Sequence, residues 1–152
     1  MQITARIDYA VRAVLQLASQ PAGGALSRAE IADAQGIPSK YLESILIALR
    51  QSGILVAQRG AGGGYSLARP ATDITIADVV RSVDGPLAGV RGLPPESVEY
   101  GGAALALRDL WVAVRASLRL VLERTTVADV VAGTLPEDIA TLLAADDAWL
   151  RR

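Results

Sequence analysis

Two short stretches of the 152-residue chain carry side chains suited to directional contacts with an anionic, hydrogen-bonding partner: Ser39-Lys40-Tyr41-Leu42-Glu43 and Arg59-Gly60-Ala61-Gly62-Gly63-Gly64. In the first, Lys40 can contact guanine or phosphate, Glu43 can accept from the cytosine amino group, and Ser39 can bond either. Tyr41 stands among them and is read as a further base contact. In the second, glycines without side chains let backbone N–H groups approach phosphates or enter a narrow minor groove beside Arg59. Other chemistries fall away on composition. The chain has no Cys and no His, which removes thiolate nucleophiles, disulfides, structural zinc, Cys-ligated iron–sulfur clusters and imidazole bases together. Carboxylates are the only metal ligands left, none forms a paired motif, and Asp146-Asp147 reads as a solvated helix face. No enzyme and no cofactor is expected.

The glycine run has rival readings, and the residues decide between them. A P-loop requires Lys-Ser or Lys-Thr after the glycines and a helix next, and neither is present. A dinucleotide fingerprint requires a third glycine where Tyr65 stands. A hairpin alone accounts for a turn but not for the length of the run. The tip of a two-stranded wing accounts for both.

The elements that must hold these residues follow from periodicity. Apolar residues Ile7, Ala10, Val11, Val14, Leu15 and Ala18 recur at helical spacing over Ile3 to Ala18. Ser27 with Glu30 forms a capping box that opens a second helix, which stops near Gly36. After Ile37-Pro38 a third helix runs from about Ser39 to Ser52, with Leu42, Ile45, Leu46 and Leu49 as its buried stripe. A short helix, a glycine turn and another helix make a helix-turn-helix. Strands over Ile54 to Arg59 and Tyr65 to Ala68 around the glycine turn add the wing. Thr75 and Asp78 cap a helix from Ile76 to Val83, and residues 86–102 read as a long Gly- and Pro-rich loop.

The longest helix is expected from Ala103 to Thr125. Leu107, Trp111, Val114, Leu118 and Val121 are spaced 4, 3, 4, 3, the interval of a coiled-coil seam, and are the expected dimer contacts. Leu110, Ala113, Leu120 and Leu122 widen its apolar surface. Thr126 and Asp129 begin a further helix, repeating the cap seen at Thr75-Ile-Ala-Asp-Val-Val, and Pro136 opens a last one through Leu150. The fold class is mainly α with a small β-wing: a winged helix-turn-helix over residues 1–85, the loop, then a dimerisation helix and C-terminal helices over 103–152.

The charge is divided along this boundary. Residues 1–70 hold seven basic and four acidic groups, a net +3, whereas residues 71–152 are net −4. Contact with phosphate suits the first half. Arg6 and Arg28 are further candidate phosphate contacts. No apolar run approaches the ~20 residues of a membrane span, and the polar stretch Met1 to Arg12 lacks a leader's apolar region. A cytoplasmic protein is expected.

Several of these stretches resemble one family. Tyr9-Ala-Val-Arg12, Ile31-Ala32, Gly36-Ile-Pro-Ser-Lys-Tyr-Leu-Glu43, Leu49-Arg-Gln-Ser-Gly-Ile-Leu55, Arg59-Gly-Ala-Gly-Gly-Gly-Tyr-Ser-Leu67 and Ile76-Ala-Asp-Val-Val80 through Val83-Asp-Gly85 are similar to the IscR/NsrR regulators, also called the Rrf-two family. The resemblance covers about residues 1–85 closely and the long helix more loosely. It implies a homodimer joined through that helix, with two winged domains on a pseudo-palindromic DNA site. It also implies Tyr41 and Glu43 on the recognition helix and Arg59 in the minor groove. Many members of that family hold a sensing cluster through three cysteines in the loop before the long helix, and the loop here has none. Some take a cluster ligand where Asp8 stands, which without cysteines reads as a cap or surface charge. The expected function is therefore a transcription regulator, a repressor, whose effector is a small molecule, a protein or none. A cavity lined by Trp111 and the loop is the expected ligand site. The rival is a winged-helix protein-interaction module that does not bind DNA.

Overall fold

A computed structural model describes residues 2–21, 24–60 and 63–150. Gly62, one of the wing-tip glycines expected to approach DNA, lies outside the described residues. The chain enters helix α1 (Ala5–Ala18) through Thr4, whose hydroxyl accepts from the Ile7 N–H at 3.3 Å. Helix α2 (Arg28–Gln35) starts with the expected reciprocal pair. The Glu30 N–H donates to the Ser27 hydroxyl at 3.2 Å, and the Ser27 N–H donates to the Glu30 carboxylate at 2.7 Å. It ends at Gly36, whose φ of 59° is the left-handed geometry that glycine adopts without steric cost. Helix α3 (Ser39–Gln51) follows Pro38, and no side chain caps its start.

Strands β1 (Leu55–Gln58) and β2 (Gly64–Leu67) then pair antiparallel, Leu55 opposite Leu67 and Gln58 opposite Gly64. The wing has a third edge that periodicity did not reveal. Leu26 bridges Tyr65 through two backbone hydrogen bonds of 3.0 and 2.8 Å. Gly64 makes this possible, because a Cβ there would stand 2.4 Å from the Leu26 carbonyl oxygen. One glycine of the run is thus required by packing within the chain.

Helix α4 (Ile76–Asp84) carries the Thr75/Asp78 capping box, and α5 (Leu107–Leu122), α6 (Val127–Ala132) and α7 (Glu137–Leu143) complete the order. The two similar caps meet in space. The Ile76 N–H donates to the Thr125 carbonyl at 2.9 Å and the Val127 N–H to the Ile74 carbonyl at 2.8 Å, so the approaches to α4 and α6 form a β-bridge. This returns the chain to the core after α5. Val127 is fully buried in the same cluster as Ala10 and Val14 of α1, Ile31 of α2, Leu42, Ile45, Leu46 and Leu49 of α3, and Ala77 and Val79 of α4. Burial of each large aliphatic side chain contributes roughly 1.5–3 kcal/mol before ordering entropy is subtracted.

The C-terminal half differs from the periodicity in its boundaries. The long helix begins at Leu107, four residues later than expected, because Gly102 takes φ 58° and a short 3-10 turn over Gly102–Ala104 stands apart. It stops at Leu122, where the chain is drawn into the bridge with Thr75. The last helix ends at Leu143 and not at Leu150; Asp146 and Asp147 would set two negative charges against the C-terminal end of the helix dipole. The loop after α4 holds a 3-10 turn over Pro95–Ser97 that packs on α5. No helix among the described residues is long and apolar enough to cross a membrane.

Candidate nucleic-acid interface

The period of α3 separates its two faces. With Leu42, Ile45, Leu46 and Leu49 inward, Ser39, Lys40, Tyr41, Glu43 and Ser44 face solvent. Lys40 makes no hydrogen bond or ion pair with another described residue, so its ammonium is available. Tyr41 is 55% exposed, yet its ring meets Tyr9 of α1 edge-on, with centroids 6.1 Å apart and planes at 81°. The Arg12 guanidinium sits 5.7 Å above the Tyr9 ring and pairs with Asp8 at 3.2 Å. Asp8 is therefore a surface ion-pair partner. The arrangement braces the ring of Tyr41 from α1.

Two expected contact residues are joined to each other: Arg28 at the start of α2 pairs with Glu43 on α3 at 2.9 Å, with both side chains substantially exposed. The pair crosses the helix-turn-helix and pre-orients the Glu43 carboxylate. Sequence spacing could not reveal it, because the partners sit on different helices. Arg6 has an internal task as well. Its Nε donates to the Val83 carbonyl at 3.0 Å and its Nη1 to the Ser44 hydroxyl at 3.1 Å, tying the start of α1 to the end of α4 and to α3. One guanidinium nitrogen, Nη2, stays without a partner among the described residues.

At the wing, Arg59 is exposed and unpaired among the described residues. Gly60 adopts φ 103°, and the Gly63 N–H closes the turn onto the Gly60 carbonyl at 2.9 Å. A Cβ at Gly63 would lie 2.5 Å from the Gln58 carbonyl oxygen. Gly63 is therefore required by close approach inside the hairpin. The Glu30 carboxyl, at the start of α2, is held below the usual carboxylate range by the hydroxyl and then the backbone N–H of Ser27.

The expected dimer residues Leu107, Trp111, Val114, Leu118 and Val121 are each only half-buried within the chain, and α5 has no fully buried residue. Leu110 and Leu120 are exposed at 53% and 49%. A cleft of about 280 Å³ does open between the loop and α5, but Arg81, Arg115 and Arg119 line it and Trp111 does not.

Comparison with known proteins agrees with this geometry. The Rrf2 family model, described as an iron-dependent transcriptional regulator, matches residues 3–133. Rv1287 of Mycobacterium tuberculosis (strain ATCC 25618 / H37Rv), named as an HTH-type transcriptional regulator, is 50% identical over 147 residues, covering 97% of this chain and 90% of Rv1287. The HTH-type transcriptional regulator CymR of Bacillus subtilis (strain 168) is 31% identical over 134 residues, 88% of this chain and 92% of CymR. The solved structure of CymR, described as the global cysteine regulator of B. subtilis, matches with a TM-score of 0.74 at 30% identity, over 88% of this chain and 98% of that one. T. potens IscR matches with a TM-score of 0.69 at 28% identity, over 100% and 93%. Iron is implied by the family's description, but the donor set does not fit a thiolate-ligated cluster: the whole sequence lacks Cys and His. No group of three or more ligating side chains converges among the described residues.

Proposed function

The chain belongs to the Rrf2 family of DNA-binding transcriptional regulators, and we propose that it acts as a homodimeric repressor occluding a pseudo-palindromic operator. The observation that carries this reading is the pair of unneutralised cations at the helix-turn-helix and wing, Lys40 and Arg59. Each lies on a backbone shaped for close approach to a polyanion. Helix α3 enters the major groove, where Lys40, Tyr41 and Ser39 meet base edges and the Arg28–Glu43 pair presents an acceptor beside a donor. Arg59, with the wing glycines Gly60, Gly62 and Gly63 of the sequence, enters the minor groove, and Arg6 adds a phosphate contact through Nη2.

The dimer forms along α5, where a second copy covers Leu107, Trp111, Val114, Leu118 and Val121 together with the exposed Leu110 and Leu120. Residues 1–85 read the DNA, and 103–152 hold the copies together. The protein works in the cytoplasm, without a cluster.

Binding to a fragment selected from the source genome tests the reading. The affinity of the wild-type protein should fall with rising salt, at a log–log slope of about 0.9 per phosphate contact. The double variant Lys40→Ala/Arg59→Ala should bind more weakly and with a shallower slope. Undiminished, salt-indifferent binding by that variant would overturn the proposal and favour a protein-interaction module.

A further inference from the structure

The cleft between the loop and α5 has a chemistry that the DNA-binding reading does not use. Arg81 reaches it from α4, and Arg115 and Arg119, one turn apart on α5, reach it from the other wall. Leu87 and Pro95, both buried, supply apolar walls, and Glu96 stands at the rim. Three guanidiniums therefore line the cleft against a single lining carboxylate. The adjoining Glu123 is shared: one of its oxygens, Oε1, accepts from both Arg81 Nη2 and Arg119 Nε. Even with Glu123 included, the cluster is net positive by one. Arg115 retains only 21% side-chain exposure and pairs with Glu96, so one of these cations is largely withdrawn from water.

Guanidinium forks in a partly dry cleft select oxyanions, because planar donors match carboxylate and phosphoryl oxygens bidentately. Each of these arginines spends only one or two of its five N–H donors on other described residues. The cleft volume of about 280 Å³ admits a small organic anion, not a cofactor-sized one.

We propose that this cleft is an effector site for a small organic anion bearing a carboxylate or phosphoryl group, which competes with Glu123 and Glu96 for the three arginines. The effector role rests on the DNA-binding reading; the binding step does not. A route for transmission is present. Arg81 lies two residues before Val83, whose carbonyl holds Arg6, and Arg6 in turn holds Ser44 on the recognition helix. Drawing Arg81 away from Glu123 shifts the end of α4 and, through Arg6, the seating of α3.

The experiment is calorimetric titration of the full chain, without DNA, using citrate as the carboxylate probe and inorganic phosphate as the phosphoryl probe, with chloride at matched ionic strength as control. At least one probe should bind saturably, and which one does so identifies the headgroup. Arg115→Gln should weaken that binding by about tenfold or more, the worth of a charge-assisted contact. Glu96→Gln and Glu123→Gln should tighten it by removing the competing carboxylates, a gain that misfolding cannot produce. Absence of saturable binding by both probes, or affinities unchanged across the three variants, would overturn the site. The bound anion should also change operator affinity in the wild type and not in Arg115→Gln. A saturable site whose occupancy leaves operator affinity unchanged would overturn the effector role. Failure of the DNA reading would show separately, as absent operator binding in anion-free protein.

Discussion

The winged region and the α5 region leave opposite things unsatisfied. In the first, the packed helices close an apolar core: Ile31, Leu42, Ile45, Leu46 and Leu49 have essentially no exposure, while Ile3, Ile47 and Val56 stay outside it. Its charges are partly open, with Lys40, Arg50 and Arg59 lacking an ion pair among the described residues. In the second, the described arginines each have a partner. Arg108, Arg115, Arg119 and Arg124 each pair with a carboxylate, Glu123 taking Arg81 of α4 as well as Arg119, and Arg91 lies 5.9 Å from the centre of the Tyr100 ring. There the apolar groups are open, with Leu105, Leu110 and Leu120 exposed by about half or more. What each region leaves open to a macromolecule differs: cations for a polyanion in the first, an apolar surface in the second. A net charge of −1 over the whole chain conceals this, because neutralisation is local and not summed.

The largest effect that can break the comparison is on stability. Leu46→Ala should cost about 2–5 kcal/mol, since it empties a fully packed position. Leu110→Ala should stay within about 0.5 kcal/mol in dilute protein, as an exposed substitution, and acquire a cost only at concentrations where two copies associate. Urea unfolding over a concentration series measures both. Equal, concentration-independent losses would mean that α5 is part of a closed core, and the contrast would collapse.

Next in size is the effect of the open charges. Lys40→Ala/Arg59→Ala should lose about 1–3 kcal/mol of operator affinity per contact. The matched double variant Arg108→Ala/Arg124→Ala removes as many cations from the second region and should leave operator affinity unchanged. Fluorescence anisotropy with one labelled operator compares them directly. A similar loss in both variants would show a diffuse effect of net charge, and Lys40 and Arg59 would have no special place.

The sequence discloses the parts of this arrangement that are local. Four-residue signals such as Ser27–Glu30, Thr75–Asp78 and Thr126–Asp129 fix helix starts because both partners of each hydrogen bond lie within one turn. The apolar stripe of α3 is legible for the same reason, and with it the exposed face holding Lys40 and Tyr41. The features that needed the fold are those joining distant residues: Leu26 on Tyr65, Arg28 on Glu43, Arg6 between Val83 and Ser44, and Val127 in the core of α1. Gly64 was the one available trace of the first, since a strand glycine often marks close backbone approach. The seam on α5 is legible in its 4-3 spacing, which cannot say which side of a broad apolar helix its own chain covers.

The smallest effect is a matter of pH, and it sharpens the contrast by locating acid sensitivity. Glu96, Glu123 and Asp129, all in the second region, are held below the ordinary carboxylate range, and only Glu30 is so held in the first. For Glu96 the cause is first the hydrogen bond from Arg115; for Glu123, those from Arg81 and then Arg119; for Asp129, those from Thr126. A carboxyl with a depressed folded value contributes stability above its unfolded value, near 4.5 for Glu and 3.8 for Asp. That contribution is lost as pH falls through the depressed value. Because these groups are solvent-screened, the loss is modest, but three of the four fasten α5, its loop and α6. Both tryptophans, Trp111 and Trp149, lie in the same region. Acidification from neutral pH should therefore change tryptophan emission at a higher pH than it removes the far-ultraviolet helical signal, which the winged core also supplies. The Glu96→Gln/Glu123→Gln variant should narrow that gap. Coincident transitions in the wild-type protein would show that the paired arginines do not fasten the second region as a unit separate from the first.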